Sequence, residues 1–158
     1  MKAQLIGQVF IYIITIIIVA FILVYGYRAI FIFKEKADQI SFVQLKNDLQ
    51  NTVEVLSVDF GSVKIRRFTV PENINTVCFV KTFPSMPTLS GTNYPIIEDS
   101  VNSGVNKNVF LVGKNVEESF FIGKISLDED LLCVSAIGNE IELKMEGRGD
   151  HTFISSDR

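Results

Sequence analysis

Twenty-five consecutive residues, 3–27, carry no charge. The central stretch, 9–25, reads VFIYIITIIIVAFILVY, in which the hydroxyls of Thr15, Tyr12 and Tyr25 are the only polar side-chain groups. A helix needs about 20 apolar residues to cross the hydrocarbon core of a bilayer. Residues 5–27 supply an uncharged, mostly apolar run of 23, at about 1.5 Å of rise each. Many are Ile and Val, whose β-branching lowers helix propensity in water. In lipid the backbone must satisfy its own hydrogen bonds, and a helix does so within one segment. Tyr25 and Tyr27, followed by Arg28, Lys34 and Lys36, stand where an interfacial aromatic belt and its cationic anchors belong. The run therefore predicts a membrane-spanning helix. A cleavable secretory signal fits poorly, because its apolar core would be about 7–15 residues with a small-x-small site just beyond. The segment after the run, GYRAIFIF, offers no such site.

From residue 34 onward the composition is that of a water-facing domain, with 13 Lys and Arg against 18 Asp and Glu, net −5. No second long apolar run occurs, which excludes a polytopic transporter, and a pI near 5.2 argues against a nucleic-acid binder. The chain divides into a leader and transmembrane helix (1–33), an amphipathic helical connector (34–56) and a β head (57–158), the last large enough for one core. Positive charge flanking the span favours a cytoplasmic C-terminal domain by a margin of one.

In the connector, Ser41 and Gln44 resemble a capping box. Phe42, Leu45 and Leu49 recur at spacings of three and four, a stripe that predicts a helix over 41–56, continuous with the span or separate from it, packed on the head. After Asp59-Phe60-Gly61 the pattern shifts to period two. Strands are expected at 62–70, 76–83, 108–112, 119–127, 131–137, 140–146 and 151–155. The segment 76–83, TVCFVKTF, is apolar on both faces and so is expected to be central. Gly138-Asn139 between 131–137 and 140–146 predicts a tight hairpin, whose second arm alternates Ile141, Leu143 and Met145 with charged residues. In that hairpin register Cys133 lies on the face of Glu142 and Lys144. The fold class is α+β: a long apolar helix followed by an antiparallel sheet or sandwich. Residues 84–107 hold three of the four prolines and are expected to form a long loop, either a mobile surface loop or a contact loop for a neighbouring subunit or a surface ligand.

The first residues, Met1-Lys2-Ala3-Gln4 and then Gly7-Gln8-Val9-Phe10, resemble the class III signal peptide of archaeal type IV pilin-like proteins. The resemblance covers about residues 1–35. It implies that a prepilin peptidase cuts between Ala3 and Gln4, with Gly7 before Gln8 as a second site. It also implies that the apolar helix stays on the mature protein, as a membrane anchor and then in a filament core. Many pilins carry Glu near the fifth mature position; here Gln8 falls there, and no acidic residue precedes Glu35.

Chemistry is sparse. His151 is the one histidine, without a partner at a ligand spacing, and reads as an ordinary surface or core residue. No phosphate-loop, dinucleotide, esterase-elbow or zinc-protease motif occurs. Asp128-Glu129-Asp130 lacks EF-hand spacing and reads as a solvated turn. Arg148-Gly149-Asp150 spells an adhesion tripeptide, but Gly147 and Gly149 fit a turn as well. Cys78 and Cys133 are either one disulfide of an extracytoplasmic domain or two buried free thiols. No catalytic, metal or cofactor residue is expected, and the partners expected are membrane lipid and identical subunits. The sequence points to a structural pilin-like subunit, at the cell membrane or in an extracellular filament. The alternative is a single-span protein whose extracytoplasmic β domain binds a protein partner.

Overall fold

The computed structural model describes residues 3–156, with the side chains of 3–9 and 31–38 outside the described set. One helix, α1, runs Ala3–Ser57. The chain forms two compact units, Met1–Gln39 and Ile40–Arg158, so the last third of α1 belongs to the head. Its stripe does what the spacing predicts: Leu45, Leu49, Val53 and Leu56 are buried, and Phe42 meets Phe120 edge-on at 5.7 Å between ring centroids. No helix starts at Ser41; the helix runs through it. An uninterrupted ladder already satisfies the backbone N–H groups that a capping box would serve.

The head is α+β, built on two four-stranded sheets. The first has the order β1 (Val63–Thr69), β7 (Glu140–Gly147), β8 (Thr152–Ser155), β5 (Ile125–Ser126). Its pairs are antiparallel except β5 with β8. The second is fully antiparallel, in the order β4 (Val116–Phe120), β3 (Val109–Val112), β2 (Thr76–Val80), β6 (Leu131–Ser135). As its two-sided apolar pattern predicts, β2 lies inside its sheet. The main core holds the α1 stripe, the inner residues of β7 (Ile141, Leu143, Met145) and those of β2 and β3 (Val77, Phe79, Val109, Leu111).

The expected hairpin is a corner between the two sheets. Gly138 and Asn139 both take positive φ, 61° and 62°, as a type I′ turn requires. Ile137 and Glu140 exchange backbone hydrogen bonds at 2.9 and 3.2 Å. Pairing then stops at that single bridge. Strand β6 continues beside β2, and β7 lies between β1 and β8. The reason lies in the side chains. The alternation of β7 suits a sheet with one wet face, whereas LLCVS suits a sheet covered on both faces. The expected placement of Cys133 beside Glu142 and Lys144 is therefore wrong: Cys133 pairs with Cys78 on β2.

The expected strand 119–127 is two strands in different sheets. Fully buried Asn108 pins the crossing: its Oδ1 accepts from Ile122 N at 2.9 Å and its Nδ2 donates to Gly123 O at 2.8 Å. A side-chain amide thus replaces the ladder, so the chain can leave β4 at Phe120 and join β8 from Ile125. Residues 84–107 are no bare loop either. They contain α2 (Pro95–Asn102), with Pro95 in its first turn, where a missing N–H costs nothing, and with Ile97 and Val101 buried.

The compact unit 40–158, expressed alone, is expected to be soluble, with a far-UV circular dichroism spectrum carrying a strong β contribution. A spectrum dominated by helix would refute the architecture. In that fragment Leu49→Ala is expected to cost about 2–5 kcal/mol in chemical denaturation. The exposed neighbour Asp48→Ala should stay within about 0.5 kcal/mol.

Candidate functional site: the apolar helix and the locked sheet

Within α1, residues Phe10–Ile30 have a mean hydropathy of 2.6 and are exposed throughout. Every side chain of 10–30 is exposed, around the whole helix circumference. A helix apolar on all sides suits a membrane or a protein core, not water. The hydroxyl of Thr15 donates to Ile11 O at 2.8 Å, so this group brings no unsatisfied donor into an apolar medium. Phe21 and Tyr25 stack at 6.1 Å, one turn apart. The segment is long and apolar enough to cross a bilayer. Arg28, near its end, carries the one charge, on a side chain long enough to reach an interface.

The processing site expected from the leader falls at the start of α1. Ala3 and Gln4 are helical in backbone, but their side chains lie outside the described residues, as do those of Gly7 and Gln8 and all of Met1 and Lys2. The side chains of the charged exit segment, from Lys34 to Asp38, lie outside them too.

The two cysteines meet as a disulfide. Cys78 on β2 and Cys133 on β6 stand directly opposite, with Cα atoms 4.0 Å apart, and are bonded. Among the described residues no strand pairs with the far side of β6, so the bond ties the outermost strand of this sheet to its neighbour. Cys78 faces away from the main core, into a second apolar cluster with Val80, Leu89, Ile97, Val101 and Phe110. The crossover 84–107 builds that cluster. Its fold is locked by Asn102, whose side chain makes two hydrogen bonds to the backbone of Leu89, 3.0 and 2.9 Å. Sequence reasoning missed this second core. The alternation of Ile97 and Val101 one turn apart was the available signal.

The remaining polar candidates have local partners. His151 stacks on Phe83 at 4.0 Å between ring centroids, and its Nδ1 contacts the Asp150 carboxylate. Asp130 accepts from Lys81 Nζ at 3.5 Å in an exposed turn. Arg148 pairs with Glu146 at 3.1 Å and covers the ring of Phe153, in the turn from β7 to β8. The end of β7 needs glycine, because a Cβ on Gly147 would run into the carbonyl oxygens of Leu56 and Asp59. Among the described residues no group of three His, Cys, Asp or Glu side chains could hold a metal ion. On the wet face of β7, Arg67 donates to Glu142 across the strand pair at 2.6 Å, a hydrogen bond that raises its pKa further.

Non-reducing peptide mapping of protein purified without reductant is expected to yield a Cys78–Cys133 linked pair; two free thiols would contradict the structure. The chain between the cysteines spans 55 residues, for which the loop-entropy argument gives about 4 kcal/mol. Replacing both with Ala should lower unfolding stability by about that amount.

No known family, curated protein or solved structure matches this chain.

Proposed function

We propose that the protein is a structural, pilin-like subunit, anchored by its N-terminal helix and carrying its β head outside the cell. The observation that supports this best is the segment Phe10–Ile30, apolar all round and exposed throughout. Each Ile, Leu, Val or Phe moved from water into an apolar medium gains about 1.5–3 kcal/mol. Such a helix has two stable homes: a bilayer, or a bundle of like helices. Pilin-like proteins use both in turn, and the leader Met1-Lys2-Ala3-Gln4 resembles theirs. The disulfide favours an oxidising compartment, hence an extracytoplasmic head. This outweighs the one-charge margin that favours the opposite orientation. His151, Asp130 and Arg148 have partners within the head, which suits a structural role.

A second reading is supported by one specific feature, the absence of any acidic residue before Glu35. Without a charge to set register against a neighbouring amino terminus, the helix would remain a plain anchor, and the extracytoplasmic head would bind a protein partner.

N-terminal and intact-mass analysis of the protein from its own host separates the two. A mature chain that begins at Gln4 (or at Gln8) and keeps the whole apolar helix is the expected result. A chain that retains Met1 would overturn the pilin reading in favour of the plain anchor. Loss of the helix altogether would defeat both.

A further inference from the structure

The four sheet edges of the head are not alike. Free strand edges invite pairing with other chains, and proteins guard them with charge, proline or shortness. Strand β4 carries Glu117 and Glu118, β5 is two residues long, and β1 carries Lys64, Arg66 and Arg67. Strand β6, Leu131–Ser135, has no charge and no proline. Its backbone is set for pairing. Ala136 N donates to Asn75 O at 2.8 Å, which fixes the alternation along β2 and β6. In an antiparallel pair, every second residue turns its N–H and C=O away from the partner strand. Here these are Leu131, Cys133 and Ser135, and among the described residues no strand lies beyond them.

Carboxylates border β6 on both sides, two of them paired within the head, Glu142 with Arg67 and Asp130 with Lys81. On the side of the main core lies a groove of about 420 Å³ bordered by Glu140, Glu142 and Arg67, the last bonded to Glu142. On the side of the second cluster lies a cleft of about 550 Å³ bordered by Glu129 and Asp130. At the edge of the other sheet, β1 offers the complement. Gly147 N donates to Ser62 O at 2.9 Å and Val70 N to Asn139 O at 2.8 Å, so Val63, Ile65 and Arg67 turn their backbone groups outward. Val63 and Ile65 are more than half exposed.

We propose that β1 of one copy adds antiparallel to β6 of a second copy, joining the two heads in a continuous sheet. The register that matches charge places Ile65 opposite Cys133, Val63 opposite Ser135 and Arg67 opposite Leu131, beside Asp130. Opposed residues share a face, so Arg67 then falls on the side of Glu129 and Asp130. Lys64 falls on the side of Glu140 and Glu142, as does Arg66, which in its own head is bonded to Thr52 Oγ1 at 3.3 Å. A parallel arrangement would carry Arg67 away from Asp130. The hydrogen bond from Arg67 to Glu142 within one head is solvent-exposed, and exchanging it is cheap. The contact is heterologous, since it joins two different surfaces, and repetition builds a ring or an open string of subunits. It concerns the heads alone and goes beyond the anchoring role proposed above.

The test uses full-length protein in membranes. Val63→Cys and Ser135→Cys chains bearing different tags are co-expressed and mildly oxidised; the native cysteines are already bonded to each other. A mixed disulfide dimer is expected, in excess of what either variant forms alone; no such excess would overturn the proposal. A peptide of residues 62–70 is then titrated onto detergent-solubilised full-length protein. Binding is expected to weaken with added salt and to fall about tenfold or more in Ser135→Pro, which removes an outward N–H and leaves the ladder to β2 intact. Unchanged binding in that variant, with the thermal midpoint retained, would also overturn it. Peptide binding without the mixed dimer would assign the edge to a foreign strand and reject self-assembly. The N-terminal analysis reads independently: a chain retaining Met1 that still cross-links defeats the pilin reading and leaves the strand pairing standing.

Discussion

Leu45, Leu49, Val53 and Leu56 recur along one side of the head portion of α1, and the inner faces of both sheets share one core with them. Neither sheet could bury its apolar residues without this stripe, because strands that carry one apolar face need a second layer. Polar links fix the helix at the same place. The buried hydroxyl of Thr152 donates to Val53 O at 2.9 Å, and Gln50 Nε2 donates to Phe121 O at 2.6 Å. Arg66 adds a bond to Thr52 Oγ1 at 3.3 Å. The first of these ties β8 to α1 over 99 positions of sequence, and the second ties the crossing between β4 and β5. Register along the helix is thus set by apolar spacing and confirmed by hydrogen bonds that tolerate no slip.

The second sheet is stabilised differently. Its central strands are apolar on both faces, so it needs a cover on the side away from α1. The crossover 84–107 supplies that cover through Leu89, Ile97 and Val101. The disulfide lies under it and holds β6, an edge strand with one strand partner, against β2. An edge strand free of charge is the element most exposed to fraying or to unwanted pairing. A covalent tie at its middle residue keeps it in the sheet while leaving its outer backbone groups unpaired.

The two units obey different solvents. Residues 10–30 are stable where water is absent, since their side chains offer water almost nothing and their backbone is closed on itself. Residues 40–158 are stable where water is present, with a charged outer surface and two dry clusters inside. Side chains that might be taken for chemistry, such as His151, Asp130 and Arg148, are instead engaged in stacking and in turns.

Local pattern alone determined the apolar helix, the stripe on α1, the alternation in β7 and the central place of β2. Each depends on the period of side chains along a single element, which is set by backbone geometry and needs no knowledge of neighbours. The turn at Gly138-Asn139 was legible for the same reason, since two positive φ angles need those residues. Tertiary structure decided what the arms of that turn pair with, because either partner would satisfy the turn and only the apolar contacts of both faces of β6 with the two clusters select the second sheet. It also decided that Asn108 would break the expected strand 119–127, through bonds formed only after residues 14 and 15 positions apart are brought together. The meeting of Cys78 with Cys133 belongs to the same class. Composition allowed a disulfide or two free thiols, and the cross-strand register of β2 with β6 chose between them. Sequence period reports which face is dry; which surface dries it is settled by packing energy summed over the whole core.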